Sequence, residues 1–270
     1  MSTWQSDNIF SGTAWYYARF RPEYPEAVIK LILDKFSLGK ESRILDLGCG
    51  TGQISLQLSP YVQKVIALDP QEDMLKEGKT IAIKKALLNI KWTLGESAKL
   101  NSLKREIGNV DLTVIARAFH WMDREQTLKD LYHLTKWGGG VAVVWDNGPR
   151  DSITESKWKS TLDEAVRFWL GEIRLAGTKG TYIHPNRRFE DYLQQSEFRN
   201  LESVEIKTER TWTTDQIIGY LYSTSSSSIP VLGDKRESFE ADVRRRLLAI
   251  NPEGVFEEEV KTSILMAWKI

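Results

Sequence analysis

The chain has 270 residues, 41% of them hydrophobic, with 37 basic and 37 acidic side chains and a formal net charge of zero. That balance argues against a nucleic-acid partner, whose binding draws on a basic excess to neutralise phosphates. A single cysteine, Cys49, excludes an internal disulfide. No apolar run approaches the roughly 20 residues that span a bilayer, and the start MSTWQSDNIFSG lacks the basic and apolar regions of a signal peptide. The expectation is a cytoplasmic protein, monomer or homodimer, with neither a nucleic-acid nor a membrane partner.

Apolar positions at helical spacing (Val28, Leu31, Ile32, Phe36) predict a helix over 25–36, with Gly39 as its stop. A compact apolar strand at 43–47 ends in the glycine turn Gly48-Cys49-Gly50-Thr51-Gly52, and Ile54, Leu56 and Leu58 open the next helix. The rhythm then repeats. A second buried strand lies at 65–69, a helix at 72–87, a third strand at 90–97, a polar stretch at 98–109 and a fourth strand at 111–119. A helix over 124–136 is stopped by Gly138, Gly139 and Gly140, and 141–147 is a fifth strand. Strands alternating with helices imply an α/β, Rossmann-like, doubly wound, mostly parallel sheet.

Beyond residue 150 the pattern changes to helices at 158–175 and 187–198, an alternating strand at 201–212 suited to a sheet edge, helices near 214–222 and 235–250, and a last strand in the second half of 255–270. The two late strands bring the sheet to seven. The expected organisation is an N-terminal covering segment and first helix (1–40), a nucleotide-binding core (41–150) and a C-terminal part (151–270) that completes the sheet. That last part carries helical cap or lid insertions over about 151–198 and 213–254. Ser223–Ser228 reads as a short polar loop or cap. Arg244, Arg245 and Arg246, flanked by Glu237, Glu240 and Asp242, read as a solvated helix face. Among ten Trp, a few could wall a pocket.

The chemistry concentrates at the ends of the first three strands, which is the ligand side of such a sheet. Gly48, Gly50 and Gly52 let the backbone approach a ligand. Their G-x-G-x-G spacing, with Asp46 before the turn, departs from the G-x-G-x-x-G of dinucleotide sites and suits a ligand with a cationic amino-acid end. Asp69 in ALDP could accept both hydroxyls of a ribose, beside Pro70, while Met74 could lie on an adenine face or simply pack in the core. Glu96, Ser97 and Ala98 close the third strand, where the Glu96 carboxylate or nearby backbone could accept from an adenine amino group, and Ala116 on the fourth strand is a further candidate cofactor contact.

In combination, ILDLGCGTG (44–52), ALDPQEDML (67–75), LGESAKL (94–100) and DLTVIARAFHWMD (111–123) resemble the class I S-adenosylmethionine-dependent methyltransferases. The branch indicated holds UbiE-like and trans-aconitate methyltransferase-like enzymes. Upstream, Tyr17 to Pro25 looks like the Y-x-x-x-RP-x-YP segment of the trans-aconitate-like branch. The resemblance implies S-adenosylmethionine as cofactor and S-adenosylhomocysteine as product. It also implies that this segment folds over the cofactor, with Tyr17 and Arg21, or Arg19 nearby, contacting the methionyl carboxylate. It places the acceptor at the end of the fourth strand, where Phe119, His120, Trp121 and, from the fifth strand, Trp145 would line a pocket.

His120 titrates near neutrality and is the candidate base, with pocket lining as the alternative. His133 and His184 join no carboxylate or thiol cluster, so no metal site is expected. Arg174, Arg187 and Arg188 could pair with an anionic substrate or belong to the surface. The expected activity is methyl transfer to a small molecule, at a carboxylate or hydroxyl oxygen. Competing readings are a protein or nucleic-acid methyltransferase, an NAD-dependent oxidoreductase and an inactive cofactor-binding module.

Overall fold

The computed structural model describes residues 9–146, 156–178, 180–181 and 187–270. Two helices come first, α1 (Ala14–Phe20) and α2 (Glu26–Lys35). The sheet begins with β1 (Arg43–Leu47), followed by α3 (Gln53–Leu58), β2 (Lys64–Asp69), α4 (Glu72–Lys84), β3 (Ile90–Leu94), α5 (Leu100–Ile107), β4 (Val110–Ala116), α6 (Arg124–Leu134) and β5 (Thr135–Asp146). Then come α7 (Lys157–Leu170), a small hairpin of β6 (Leu175–Ala176) and β7 (Gly180–Thr181), α8 (Phe189–Gln195), β8 (Arg199–Thr213), α9 (Thr214–Tyr222), α10 (Ile229–Leu232), α11 (Arg236–Ile250) and β9 (Val255–Trp268).

Seven strands form one sheet in the order β3-β2-β1-β4-β5-β9-β8. The first five are parallel, β9 runs antiparallel between β5 and β8, and β8 is the edge. Chain order reverses at β1, which has β2 on one side and β4 on the other. A crevice opens outside the carboxyl ends of strands at such a reversal.

Side chains alternate across the sheet with period two. Leu45 and Leu47 face a core shared with α5, α6 and α8, whereas Ile44 faces one shared with α2 and α3. A third core of Trp158, Leu162, Ile217, Leu221, Phe239 and Val243 joins α7, α9 and α11, reaching the far ends of β8 and β9 through Trp212 and Phe256. These helices form a cap beyond the carboxyl end of the sheet. By contrast, α8 packs on the sheet through Leu193, so the stretch expected as lid over 187–198 belongs to the sheet layer.

Other expectations change in detail. The polar stretch 98–109 contains α5, whose narrow apolar stripe of Leu100, Leu103 and Ile107 faces the core while the other residues are solvated. Gly138, Gly139 and Gly140 do not stop a helix. They lie inside β5, which starts at Thr135, and a Cβ on Gly139 would stand 2.3 Å from the carbonyl oxygen of Asp111 on the neighbouring strand. The third strand ends at Leu94, α7 ends at Leu170 before the hairpin, and β9 occupies all of 255–268 rather than its second half. Residue 147, expected in the fifth strand, lies outside the described residues. The arginines 244–246 are held on α11 by Asp215, Glu240 and Asp242, as a solvated face would be.

Candidate active site

The turn after β1 is built on Gly48, Gly50 and Gly52, each at positive φ (75°, 56° and 80°). It is tied to β2, since the amides of Gly48 and Cys49 both donate to the carbonyl of Leu68, at 2.8 and 3.1 Å. At the end of β2, one oxygen of Asp69 accepts from the amide of Gly50 at 2.8 Å and the other from the amide of Gln71 at 2.9 Å. Burial pushes the Asp69 carboxyl up to about 6, against the opposing pull of those two amides. The carboxylate is thereby oriented by backbone alone and keeps further lone pairs for a ligand.

Above this turn lies a cavity of about 520 Å³. Gly48, Gly50, Asp69, Pro70, Gln71 and Met74 line one side, and Gly95, Glu96, Ser97 and Ala98 line another. Trp121, Met122, Asp123, Gln126 and Thr127 come from the α6 side, and Ile9, Phe10 and Tyr17 close over it from the N-terminal segment. Glu96 is held by Lys99 at 2.8 Å. Met74 is buried and still reaches the cavity wall.

A second cavity of about 550 Å³ abuts the first. His120, Trp145 and Asp146 face it from the ends of β4 and β5, Phe189 from α8, and Val166 and Leu170 from α7. Arg174 and Leu175 follow from the hairpin, with Tyr220 and Thr224–Ser226 from the cap. Four residues line both cavities: Phe10, Tyr17, Arg117 and Trp121. Phe10 meets Trp121 edge to face at 5.7 Å and Tyr17 at 6.4 Å, so the boundary is largely aromatic.

Several expected site residues fall elsewhere. Asp46 lies beneath the turn, where one oxygen accepts from the Ser55 hydroxyl at 2.6 Å and the other has no hydrogen-bond partner among the described residues. It faces α3 and lines neither cavity, and burial pushes its carboxyl up to about 7. Gly52 is packed against the Trp92 ring, and Ala116 packs in the core beside α2. Phe119 is not pocket lining: the 3-10 turn Phe119–Trp121 rolls it into the core against Phe189 and Tyr192 while turning His120 and Trp121 outward.

Arg21 faces the second cavity. It donates to the Ser223 hydroxyl at 2.9 Å and the Tyr220 hydroxyl at 3.3 Å, with its guanidinium over the rings of Tyr17 and Tyr220. Arg19 points outward to Glu77. Arg187 pairs with Glu125, and Arg188 is an exposed residue at the start of α8; only Arg174 of the three candidate anion-binding arginines reaches a cavity. His133 lies on α6, and His184 lies outside the described residues. No cluster of three or more metal-binding side chains occurs among the described residues.

His120 is half-buried, and its pKa is lowered to about 3, first by loss of solvent and then by the charges of Arg174, Arg124 and Arg21. It is therefore a neutral imidazole at physiological pH.

Arg117, which sequence reasoning passed over, sits at the boundary of the two cavities at φ 55°. Its guanidinium engages both oxygens of Asp146, donates to the carbonyl of Pro22 at 3.3 Å and lies 4.6 Å from the Tyr24 ring centroid. Asp146 leads on to Arg210 (3.7 Å), Arg210 to Glu258 (3.8 Å) and Glu258 to Lys159 of α7 (2.8 Å). A buried chain of alternating charge thus runs from the boundary to the cap. The signal in the sequence was a charged residue directly after a buried strand.

Residues 44–139 match a family model described as a methyltransferase domain. The matched stretch, running from β1 into β5, is thus similar to a methyltransferase domain. An uncharacterised methyltransferase of Schizosaccharomyces pombe is 30% identical over 131 residues, covering 48% of this chain and 49% of that protein. A Dictyostelium discoideum protein named for methyltransferase activity is 23% identical over 226 residues, covering 81% and 77%. The chain spans about half the length of most of the curated relatives it matches. A solved structure from Anaeromyxobacter dehalogenans, whose name places it among type II methyltransferases, superposes with a TM-score of 0.60 at 22% identity over 92% of this chain and 97% of that one. The likeness shows the Rossmann-like fold alone.

Proposed function

We propose that this chain transfers a methyl group from S-adenosylmethionine to an oxygen of a small molecule, with the cofactor in the 520 Å³ cavity and the acceptor in the 550 Å³ cavity. The observation that carries this reading is the junction of the two cavities at Phe10, Tyr17, Arg117 and Trp121. A sulfur-bound methyl group and its acceptor must meet in line across such a junction.

The residues of the first cavity fit the cofactor. Asp69 presents a pre-oriented carboxylate for two ribose hydroxyls, and Met74 and Leu68 offer an apolar wall for a purine beside the polar backbone of Glu96–Ala98. Gly50 admits close approach: a Cβ there would sit 3.4 Å from the Tyr17 ring, filling space between turn and covering helix. When bound, the cofactor supplies an electrophilic methyl on a positively charged sulfur, ready for displacement.

The chain's own part is positioning and exclusion of water. The aromatic boundary keeps the junction dry, and Arg117, neutralised by Asp146, stiffens it without presenting net charge. His120, held neutral, serves as a hydrogen-bonding wall that orients an acceptor rather than as a strong base. The cap helices α7, α9 and α11 act as the substrate-covering part. The segment Tyr17–Pro25 supports placement in the trans-aconitate-like branch, and no helix among the described residues is long and apolar enough to cross a membrane, in keeping with a cytoplasmic enzyme.

The test is isothermal titration with S-adenosylhomocysteine and, separately, NAD. Binding of the former alone is expected. Binding of NAD, or of neither, would remove the proposal and leave the domain match and the fold.

A further inference from the structure

We infer that the second cavity takes a flat organic anion whose anionic group is seated by Arg21 and Arg174. The inference deepens the functional reading above and rests on it for the identity of the neighbouring cavity.

The first observation is the distribution of charge. Among the described residues lining this cavity are four arginines and three carboxylates. Asp146 is taken by Arg117, and Asp163 and Glu172 both pair with Arg167. Arg21 hydrogen-bonds to none of these carboxylates, although its charge also acts on Asp146; its hydrogen bonds go to the hydroxyl and carbonyl of Ser223 and the hydroxyl of Tyr220, all neutral groups. The planar fork of such a guanidinium matches a carboxylate.

A second observation comes from His120. After burial, the groups that lower its pKa are Arg174, Arg124 and Arg21, two of which line this cavity. A cation seated beside them would be repelled.

Shape supplies the third observation. Trp121, Trp145, Phe189 and Tyr220 present ring surfaces to the space, and Trp145 meets Phe189 edge to face at 5.3 Å. Aromatic walls of this kind favour a planar guest by stacking and edge contacts. The buried residues Thr224, Ser225 and Ser226 add polar groups on the same side as Arg21, since Ser223 at the head of that loop is Arg21's own partner.

The anion's place follows from which residues each cavity owns. Arg21, Arg174 and His120 line only the second cavity, whereas the shared boundary holds three aromatic residues and an arginine already engaged by Asp146. Arg21 adjoins that boundary, its guanidinium 4.9 Å from the Tyr17 ring centroid, so an anion it holds lies in the second cavity beside the junction.

The probe is 2-naphthoate, with uncharged 2-naphthamide of the same shape as control, titrated into the full chain in the presence of S-adenosylhomocysteine. The naphthoate is expected to bind about tenfold or more tightly than the amide, as for a charge-assisted contact. It is expected not to displace S-adenosylhomocysteine. Arg174→Met and Arg21→Met should each weaken naphthoate about tenfold, leave the amide unchanged and leave S-adenosylhomocysteine affinity unchanged.

Equal binding of acid and amide would overturn the proposal, as would displacement of S-adenosylhomocysteine by naphthoate. So would a loss of S-adenosylhomocysteine affinity in Arg21→Met, which would assign that arginine to the cofactor. Since Arg21 also ties α1 to the cap, Arg174→Met decides the matter should Arg21→Met fail to fold. If the wild-type chain binds no S-adenosylhomocysteine, the methyltransferase reading fails by itself, and the contrast between naphthoate and naphthamide still decides the anion site.

Discussion

The carboxylate of Asp69 is pinned to the amide of Gly50 at 2.8 Å, so the end of β2 and the turn after β1 are one rigid unit. A second amide, from Gln71, holds the other oxygen. Removing the carboxylate removes the ribose acceptor and slackens the turn together. Asp69→Ala is expected to weaken S-adenosylhomocysteine binding by roughly two orders of magnitude, as for two lost charge-assisted hydrogen bonds, while the chain still folds. Calorimetry and circular dichroism on the same sample check both halves.

The pH dependence has two opposite parts. Burial raises Asp69 to about 6 and Asp46 to about 7 from an ordinary 3.8, so the folded chain binds more protons than the unfolded chain between those limits. Stability therefore falls as pH rises from about 4 to about 7. Binding of S-adenosylhomocysteine needs the ionised Asp69 and weakens as pH drops through about 6. Urea unfolding at pH 5 and pH 8, with ligand titrations at the same values, should show the two trends crossing, and Asp46→Asn should flatten the first while sparing the second.

Arg117→Met leaves Asp146 buried beside Arg210 with its bidentate partner gone. A loss of about 3–5 kcal/mol is expected from the denaturation midpoint, and Arg117→Met/Asp146→Leu should recover much of it, because the cost lies in the abandoned charge.

His120 should not titrate between pH 5 and pH 8, given a pKa lowered to about 3. The ring-proton shifts of His120, assigned by comparison with His120→Gln, are expected to stay flat while those of a solvated histidine move. A midpoint near 6.5 would restore it as a candidate base.

Two glycines with the same φ of 80° separate strain from crowding. Gly138→Ala has nothing within 4 Å of the new Cβ and should cost about 1–2 kcal/mol. Gly52→Ala would put its Cβ 2.5 Å from the Trp92 ring and should cost clearly more, with loss of ligand binding, by the same thermal scans.

The parallel half of the sheet was legible because buried strands such as Val65–Leu68 are continuous apolar runs, and the carboxyl ends of those strands located the ligand side. Composition hid burial where polar residues serve themselves. Ser223–Ser228 reads as a short polar loop or cap, and it is buried, because the hydroxyls of Ser223, Thr224 and Ser227 donate to the carbonyls of Tyr220 and Leu221 at the end of α9. Side-chain direction was equally hidden. Whether Phe119 or Trp121 faces the cavity depends on the pitch of a 3-10 turn, and Arg117 reaches the boundary through a positive φ that nothing in ARAFHW announces.

The place of β9 in the sheet bears on how the chain is made. β8 leaves the ribosome before the strand that carries it, since β9 follows only after α9, α10 and α11 and then slots between β5 and β8. Until then the fifteen residues of β8 lack the only strand they pair with in the sheet. Their charges, from Arg199 and Glu202 through Glu205, Lys207 and Glu209, keep such a segment from pairing with a neighbour during the wait. The alternation that marks β8 as an edge strand in the finished fold is thus also its protection while the fold is unfinished.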